Sequence, residues 1–313
     1  MKKELGIIGL GKMGSSIGLH AKDLGYKVVG KDMSEKPDLS EAGIEVVTDY
    51  KEFVELLTPP RIIFLSLPAG KVIDIVLEEV SQLLEKGDVI LDGGNSFFLD
   101  SIRRHKEISE KRLHFLDCGT SGGVSGAREG ACFMVGGEKE GIALAEPILI
   151  ELAVQDGYLH TGDPGSGHFV KLVHNGIEFG MLQAIGEGIQ LLKQGPFELK
   201  LGEILHNWNN GSVIRSWLVE LMEEGIKDKK NLKDIPSYIE DTGEVNWLVQ
   251  WAINQEIPIP TISTSIMELF KSRKKDFDMY RAIAMMRHGF GGHPYGEDDY
   301  IKKERKTSRL SPL

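Results

Sequence analysis

The segment LGIIGLGKMG, residues 5–14, determines the fold because it joins a short apolar run to the glycine pattern G-x-G-x-x-G. The apolar run predicts a buried strand and the residues after it predict a helix, which is the context in which this pattern binds a dinucleotide. There Gly9 permits a tight turn, Gly11 lets a pyrophosphate approach the backbone, and Gly14 lets the helix pack closely on the strand. The N–H groups at the helix start, around Met13, would hold the phosphates. A glycine-rich turn without a ligand is the alternative interpretation.

A carboxylate follows the second predicted strand, residues 26–30. Asp32 comes 23 residues after Gly9, where an acidic side chain accepts hydrogen bonds from a ribose 2′-hydroxyl and repels a 2′-phosphate. The expected cofactor is therefore NAD rather than NADP. Lys31 could weaken that preference, and Asp32 could instead cap the following turn.

Short apolar runs alternate with helical patterns over the first half of the chain. The predicted strands cover residues 5–10, 26–30, 61–68, 88–94, 113–118 and 131–136. Such alternation predicts right-handed crossovers and a parallel sheet. We therefore expect residues 1–165 to form a Rossmann-type, doubly wound α/β domain that binds the dinucleotide.

The second half of the chain carries only helical patterns. They cover residues 168–194, 198–206, 212–225, 244–254, 261–273 and 276–287. We therefore expect residues 166–313 to form an all-helical domain, with a frayed basic end from residue 302.

The composition excludes several classes of protein. The chain has 313 residues, of which 41% are hydrophobic, and a formal net charge of −10; this charge argues against a general nucleic-acid partner. No segment approaches the roughly 18 apolar residues of a membrane span, and the start lacks the apolar region of a signal peptide. The two cysteines, Cys118 and Cys132, fit a reducing compartment. A cytoplasmic protein is expected.

A second segment, GHFVKLVHNGIEFG at residues 167–180, places four polar side chains in an apolar run. Lys171, His174, Asn175 and Glu178 follow the spacing i, i+3, i+4 and i+7, so they share one face of a helix. These four residues are called the polar row below. A solvated face is the ordinary interpretation of such a row, and a set of functional groups is the alternative.

Three segments together resemble 6-phosphogluconate dehydrogenase, decarboxylating: LDGGNS at residues 91–96, TSGG at residues 120–123, and the segment that holds the polar row. The resemblance runs from residue 5 to about residue 295, and the length matches the short form of the family. It implies oxidation of a gluconate at C3 with NAD as the cofactor, loss of CO₂, and a pentulose product.

The resemblance assigns a role to each member of the polar row. Lys171 would be the general base on the C3 hydroxyl, so its pKa must be lowered by desolvation or by a nearby cation. Glu178, about 10 Å further along the helix, would protonate C1 of the enediol. His174 and Asn175 would hold hydroxyl groups of the substrate between them.

The other segments would complete the site. Asn95 would lie between the nicotinamide and the substrate, and the loop of Ser121, Gly122 and Gly123 would bind the substrate carboxylate, unless that loop is only a flexible turn. The residues expected along the cofactor, besides Asn95, are Leu67 and Pro68. No metal is expected, because the nine histidines show no H-E-x-x-H or Cys/His ligand spacing.

The C-terminal part of the chain contains a further segment that matches the family, and this segment concerns the binding of the C6 group. RHGFGGH, residues 287–293, matches the R-x-x-F-G-x-H of the family, so Arg287 and His293 would bind the C6 group. In the family this segment comes from a neighbouring subunit, which implies an obligate homodimer or a larger assembly such as a tetramer. The helical domain would then be the substrate-binding and oligomerisation domain.

Three other positions depart from the C6 phosphate site of the family. Phe179 stands in place of a tyrosine, Asn246 in place of a lysine or arginine, and Leu269 in place of an arginine. Arg273, Lys271 or Lys274 could replace the lost charge, and a solvated face is the more ordinary role for these three. The C6 group therefore stays open between a phosphate, a sulfonate and a free hydroxyl, because charge-assisted hydrogen bonds contribute about 1.5–3 kcal/mol each.

Two further alternatives remain. A β-hydroxyacid dehydrogenase acting on a smaller acid shares the N-terminal signature and the catalytic lysine, but typically lacks both H-N-G-I-E and the R-x-x-F-G-x-H segment. A non-catalytic dinucleotide-binding regulator is the other alternative, and the presence of both Lys171 and Glu178 argues against it.

Overall fold

A computed structural model describes residues 3–229, 232–273, 278–291 and 294–299. Within these ranges the strands form one sheet of eight, in the order β3-β2-β1-β4-β5-β6-β7-β8. The strands are β1 (Glu4–Ile8), β2 (Lys27–Lys31), β3 (Glu45–Val47), β4 (Ile62–Leu65), β5 (Val89–Asp92), β6 (His114–Ser121), β7 (Ala131–Gly136) and β8 (Ala153–Gly162).

Helices flank the sheet and then make up the rest of the described chain. Those interleaved with the strands are α1 (Lys12–Asp23), α2 (Pro37–Glu41), α3 (Tyr50–Glu55), α4 (Lys71–Val80), α5 (Phe98–Ser109), α6 (Gly123–Glu129) and α7 (Lys139–Leu152). Those of the second half are α8 (Ser166–Gln194), α9 (Leu201–Asn209), α10 (Trp217–Lys229), α11 (Glu244–Asn254), α12 (Pro260–Ser272) and α13 (Asp278–Gly291). The predicted fold class, a Rossmann-type sheet followed by a helical region, is confirmed.

One joint of the sheet differs from the prediction of a parallel sheet. The pairs from β3 through to β6 are parallel, but β6 pairs with β7 in antiparallel register, from Asp117 opposite Gly136 to Ser121 opposite Cys132. The connection between these strands, residues 122–130, is shorter than the dozen or so residues that a parallel crossover needs. The prediction of a wholly parallel sheet was therefore wrong at this joint.

Two edge strands were not predicted. β3 has only three residues, and β8 has the mixed sequence AVQDGYLHTG with several exposed side chains. Each pairs with a neighbour on one side only. Because an edge strand has one open side, it lacks the continuous apolar run that marks the central strands.

Apolar residues on both faces of the sheet form the core. In β1, Leu5 and Ile7 pack on one face and Ile8 packs on the other, and all three are at most 2% exposed. Burial of both faces of the central strands is typical of a parallel sheet covered by helices. Among the helices that the structure describes, none combines the length and apolar composition that crossing a bilayer requires.

An aromatic cluster joins the sheet to the helices of the second half. It is built from Phe97, at the start of α5, and its neighbour Phe98 together with Phe169 of α8 and Trp251 of α11; successive ring centroids lie 4.9 to 5.1 Å apart. Edge-to-face contacts of this kind contribute beyond the area that they bury. The segment before α5, which holds Asn95, is therefore packed against the helical region.

Candidate active site

The glycine-rich turn has the shape that a bound dinucleotide requires. Gly9 has a φ of 95°, and a β-carbon there would collide with the carbonyl oxygen of Ser66. A β-carbon on Gly14 would collide with the carbonyl oxygen of Gly9, whereas one on Gly11 would meet no atom within 4 Å. The turn is thus closed on its inner side and open at Gly11, the point where a pyrophosphate would approach the backbone.

Asp32 stands at the end of β2 as an anionic acceptor. Its Oδ2 accepts a hydrogen bond of 2.8 Å from the backbone N–H of Leu10, and its Oδ1 accepts one of 3.3 Å from the N–H of Ser34. Burial raises the pKa of Asp32, but the backbone hydrogen bonds and Lys36, 3.6 Å away, lower it by more. The carboxylate therefore stays charged beside the turn, where it would repel a 2′-phosphate.

Lys31 does not lie beside that carboxylate. Its side chain is 8% exposed, and its Nζ lies 3.8 Å from the ring centroid of Tyr50. Adjacent residues of a strand point to opposite faces, so the lysine is directed away from Asp32. Its expected softening of the NAD preference therefore has no support in the geometry.

The loop after β4 lies next to the glycine-rich turn. The N–H of Ser66 donates to the carbonyl of Ile8 over 2.8 Å, which extends the pairing of β1 and β4 by one residue. Leu67 packs so close to Gly9 that a β-carbon there would lie 2.9 Å from it. Leu67 and Pro68 therefore sit where the carboxyl ends of β1 and β4 meet, which is where doubly wound sheets bind their ligands.

The polar row is one connected group of side chains. Lys171 Nζ lies 3.4 Å from His174 Nδ1, and the same nitrogen lies 3.1 Å from Asn175 Oδ1 and 3.9 Å from Glu178 Oε2. The other ring nitrogen, Nε2, lies 3.0 Å from the hydroxyl of Ser121 on β6. The structure thus brings four predicted site residues together around the imidazole of a fifth, His174, and which ring nitrogen carries the proton depends on the tautomer.

Lys171 is the most deeply buried member of the row. Its side chain is 8% exposed, and desolvation lowers its pKa, against the smaller opposing effects of Glu178 and Cys132. A lowered pKa makes the neutral amine accessible, as a general base requires. Cys132, paired with Ser121 across the sheet, was not predicted as part of this environment, because only the antiparallel joint places it there.

The helix α8 is held at its first turn by Asp117, a residue that was not predicted as part of the site. Asp117 of β6 is 1% exposed, and its carboxylate accepts hydrogen bonds from the backbone N–H groups of Gly165, over 2.6 Å, and His168, over 2.8 Å. A carboxylate at a helix N-terminus satisfies unpaired N–H groups and favours the helix dipole. A β-carbon on Gly167 would lie 2.5 Å from two strand carbonyl oxygens, so α8 starts in direct contact with the sheet.

The Ser-Gly-Gly loop follows β6 directly. Gly122 and Gly123 have φ values of 115° and 62°, a left-handed conformation that residues other than glycine rarely adopt. The turn leaves Ser121 facing His174, and α6 begins at Gly123 directly after it. Asn95, at the carboxyl end of β5, has an exposed side chain, and its role next to the nicotinamide stays a prediction.

Only part of the predicted C-terminal site lies within the described residues. Arg287 lies on α13 with an exposed side chain, and among the described residues no hydrogen bond or ion pair joins it to the row. His293 and Lys274 lie outside the described residues.

The three departing positions lie on helices of the second half. Asn246 is exposed on α11, whereas Leu269 of α12 is 3% exposed. Phe179 and Leu269 both line a cavity of about 350 Å³ beside α8, together with Leu182, Gln183, Gly186, Glu187, Gln190, Ile239 and Ser265. The described lining of this cavity contains a carboxylate and no lysine or arginine.

Fold and site together define a dehydrogenase that uses a nicotinamide dinucleotide. The family described as the NAD binding domain of 6-phosphogluconate dehydrogenase matches residues 4–161, and the family described as the 6-phosphogluconate dehydrogenase C-terminal domain matches residues 167–285. The chain therefore belongs to the 6-phosphogluconate dehydrogenase family, which confirms the resemblance inferred from its motifs.

Individual relatives agree with this assignment over nearly the whole chain. YqeC of Bacillus subtilis, provisionally named as a 6-phosphogluconate dehydrogenase, is 44% identical over 292 residues, covering 93% of this chain and 98% of its own. The NAD⁺-dependent, decarboxylating 6-phosphogluconate dehydrogenase of Haloferax volcanii is 40% identical over 300 residues, covering 95% and 99%. The Plasmodium falciparum 6-phosphogluconate dehydrogenase, solved alone, with NADP⁺ and with 6-phosphogluconate, superposes with a TM-score of 0.79 at 28% identity, covering 96% of this chain and 68% of that one.

Proposed function

We propose that the protein catalyses the NAD-dependent oxidative decarboxylation of 6-phospho-D-gluconate to ribulose 5-phosphate, CO₂ and NADH. The observation that carries the proposal is the buried Lys171, whose pKa is lowered by desolvation and whose Nζ contacts His174 in a row that ends at Glu178. The relative from Haloferax volcanii, named for the same chemistry, supports it.

The residues of the row would act in sequence. Neutral Lys171 would take the proton of the C3 hydroxyl, and NAD, when bound, would supply the hydride acceptor for C3. When the β-keto acid loses its carboxylate as CO₂, the protonated lysine stabilises the enolate oxygen. Glu178 then donates a proton to C2 of the original acid, which is C1 of the pentulose. His174, whose Nε2 lies 3.0 Å from the Ser121 hydroxyl, would orient the substrate hydroxyls between Lys171 and Glu178.

The dinucleotide would be NAD, and the residues present fit that group. Gly11 leaves open space for the pyrophosphate, and Asp32 presents a charged acceptor to the ribose. Met13 at the start of α1, Leu67 and Pro68 would line the remaining path to Asn95. The relative from Haloferax volcanii is named as NAD⁺-dependent, whereas the structure from Plasmodium falciparum contains NADP⁺, so the cofactor preference needs its own measurement.

A second candidate substrate differs only at C6. The cavity lined by Phe179 and Leu269 contains no described cation, and Asn246 on α11 adds none. A sulfonate carries one negative charge and a hydroxyl none, so 6-sulfogluconate or gluconate would need fewer cationic partners than a phosphate dianion does. Arg287 and His293 would then have to supply the cationic contacts of any charged group.

Initial rates with 6-phosphogluconate, 6-sulfogluconate and gluconate, each with NAD and with NADP, test the proposal. We expect NADH and CO₂ in equal amounts and the highest kcat/KM for 6-phosphogluconate with NAD. A higher kcat/KM for either other acid would establish the second candidate. NADH formed without CO₂ would contradict decarboxylation altogether.

The proposal also includes a cytoplasmic location and assembly into a homo-oligomer. Each chain would be divided into a dinucleotide-binding domain, residues 1–165, and a helical domain, residues 166–313. Arg287 would complete the site of a neighbouring subunit, because it does not reach the polar row of its own chain. The outer surface of α13 supports this, since Met279, Met285 and Met286 are 56 to 63% exposed. Mixing Lys171→Met subunits with Arg287→Ala subunits should restore part of the activity that each lacks alone; no recovery in a verified hybrid would contradict the shared site.

A further inference from the structure

Arg104 of α5 is a fully buried arginine that the proposed chemistry does not use. Its side chain is 0% exposed, and its guanidinium donates in three directions. Nε donates to Asp74 Oδ1 over 2.8 Å, and the two terminal nitrogens reach Ser96 Oγ over 3.2 Å and the Gly70 carbonyl over 2.9 Å. Asp92, also 0% exposed, lies 3.4 Å away as the buried counter-charge.

Asp74 lies on α4, and the other partners lie in or next to the two loops that the proposed cofactor site uses. Gly70 ends the loop after β4, which carries Leu67 and Pro68. Asp92 ends β5, and its carboxylate also accepts hydrogen bonds from Gly94 N–H over 3.1 Å and from the Ser96 hydroxyl over 2.7 Å. Asn95 lies between these last two residues, so one guanidinium joins the two loops from beneath.

Stability alone does not account for such an arrangement. Desolvation of a buried ion pair offsets most of its Coulomb attraction, and well-packed apolar residues are often as stabilising. A planar guanidinium with partners in three directions instead restricts geometry, because its N–H groups have fixed relative directions. The two loops are thereby held at one separation.

We propose that Arg104 is a positioning residue, which fixes the loops of residues 66–70 and 93–97 relative to each other and so sets the place of the nicotinamide half of the dinucleotide. The role rests on the proposed function only in assigning Asn95 and Leu67 to the cofactor. Arg104 acts through these loops and touches neither substrate nor cofactor.

Arg103 provides a matched control on the same helix. Its side chain is 43% exposed, and it shares one partner with Arg104, because it donates to Asp74 over 2.9 Å. Its other close partner is Glu107, at 3.1 Å, which belongs to α5 and not to either loop. Replacing Arg103 therefore removes the same charge and the same carboxylate contact without releasing the loops.

The test compares Arg104→Gln, Arg104→Lys, Ser96→Ala and Arg103→Gln. NADH affinity is measured by fluorescence titration without any sugar acid, and thermal unfolding is recorded for each variant. We expect Arg104→Gln to weaken NADH binding about tenfold or more, because it removes charge-assisted hydrogen bonds to both loops. Ser96→Ala should weaken it less, Arg104→Lys should recover only part of the affinity, and Arg103→Gln should match the wild type.

Two outcomes would overturn the proposal. One is a lower melting temperature for Arg104→Gln with wild-type NADH affinity, which would make the residue purely structural. The other is equal loss of affinity in Arg103→Gln. If Arg104→Gln does not fold, the same NADH titration of Ser96→Ala and Arg104→Lys tests the positioning role instead. Wild-type NADH affinity in both of these variants would then contradict the proposal. An error in the proposed substrate leaves the titration unaffected, since it contains no sugar acid.

Discussion

Lys171→Met would remove the amine of the polar row and keep an unbranched side chain of similar length. Lys171 is 8% exposed and its Nζ lies 3.4 Å from His174 Nδ1, whereas the thioether of methionine cannot accept the proton of the substrate hydroxyl. A positioned general base contributes about 10²- to 10⁴-fold in rate. We therefore expect kcat/KM to decrease by a factor in this range. NADH affinity should stay close to that of the wild type, because the glycine-rich turn and Asp32 are unchanged.

The same substitution should stabilise the fold. Burial lowers the pKa of Lys171 in the folded protein below its ordinary value of 10.5. At a pH below the pKa of Lys171 in the folded protein, the lysine is protonated in the folded and the unfolded state, and the folded state carries the whole cost of burying its charge. As pH rises from there toward 10.5, the folded state loses the proton first, so this cost becomes smaller. Lys171→Met should therefore have a higher free energy of unfolding at neutral pH, and its advantage should narrow as pH approaches 10.5.

Denaturant unfolding at several pH values, initial rates and NADH titration together provide the assay. Lys193→Met is the control, because Lys193 lies on the same helix and is exposed, so its rates and unfolding should change little. The rise of kcat/KM with pH should occur below pH 10.5 in the wild type, because the lowered pKa of Lys171 sets it. Wild-type turnover by Lys171→Met would refute the assignment of the base, and a loss of stability at neutral pH would refute the desolvation argument.

Three further experiments probe the cofactor and C6 sites. Asp32→Asn should lower the ratio of kcat/KM for NAD to that for NADP by about 10- to 100-fold, since hydrogen bonds to charged groups contribute about 1.5–3 kcal/mol; an unchanged ratio would mean that Asp32 does not select the cofactor. Gly14→Ala should lower the melting temperature because its β-carbon collides with the turn, whereas Gly11→Ala should leave the melting temperature unchanged and weaken NADH binding; the reverse pattern would contradict the predicted phosphate path. Phe179→Tyr combined with Asn246→Lys should raise kcat/KM for 6-phosphogluconate relative to gluconate by about tenfold, and a constant ratio would show that the C6 group binds elsewhere.

Elements with strong local patterns were predictable from the sequence. α11 occupies residues 244–254 as predicted, and α8 begins two residues before its predicted start, because helical periodicity and flanking glycines or prolines mark both. β3, β8 and the antiparallel joint between β6 and β7 were not predicted. Their existence depends on which strands become neighbours, and that is decided by tertiary packing rather than by any local run of residues.

The features of the candidate site also divide into those that the sequence predicts and those that depend on the fold. Helical spacing alone places Lys171 and Glu178 on one face. The contact of His174 with Ser121, 53 residues away in the chain, and the cap that Asp117 provides to α8 both depend on strand order. Arg104 gave no signal at all, because a charged residue on an amphipathic helix is ordinarily solvated and only the folded structure shows it buried.

Because α8 is attached to the sheet at its first turn, the rotation of the helix about its own axis is fixed, and with it the direction in which the polar row points. Asp117 and Gly167 hold the first turn, and the polar row begins four residues later. Each residue advances a helix by about 100°, so inserting a single residue between the anchor and Lys171 would swing the amine a quarter of a turn or more away from its target while leaving every residue of the row intact. Chain length between these two points is therefore a constraint on the site that is separate from the identity of the residues that occupy it.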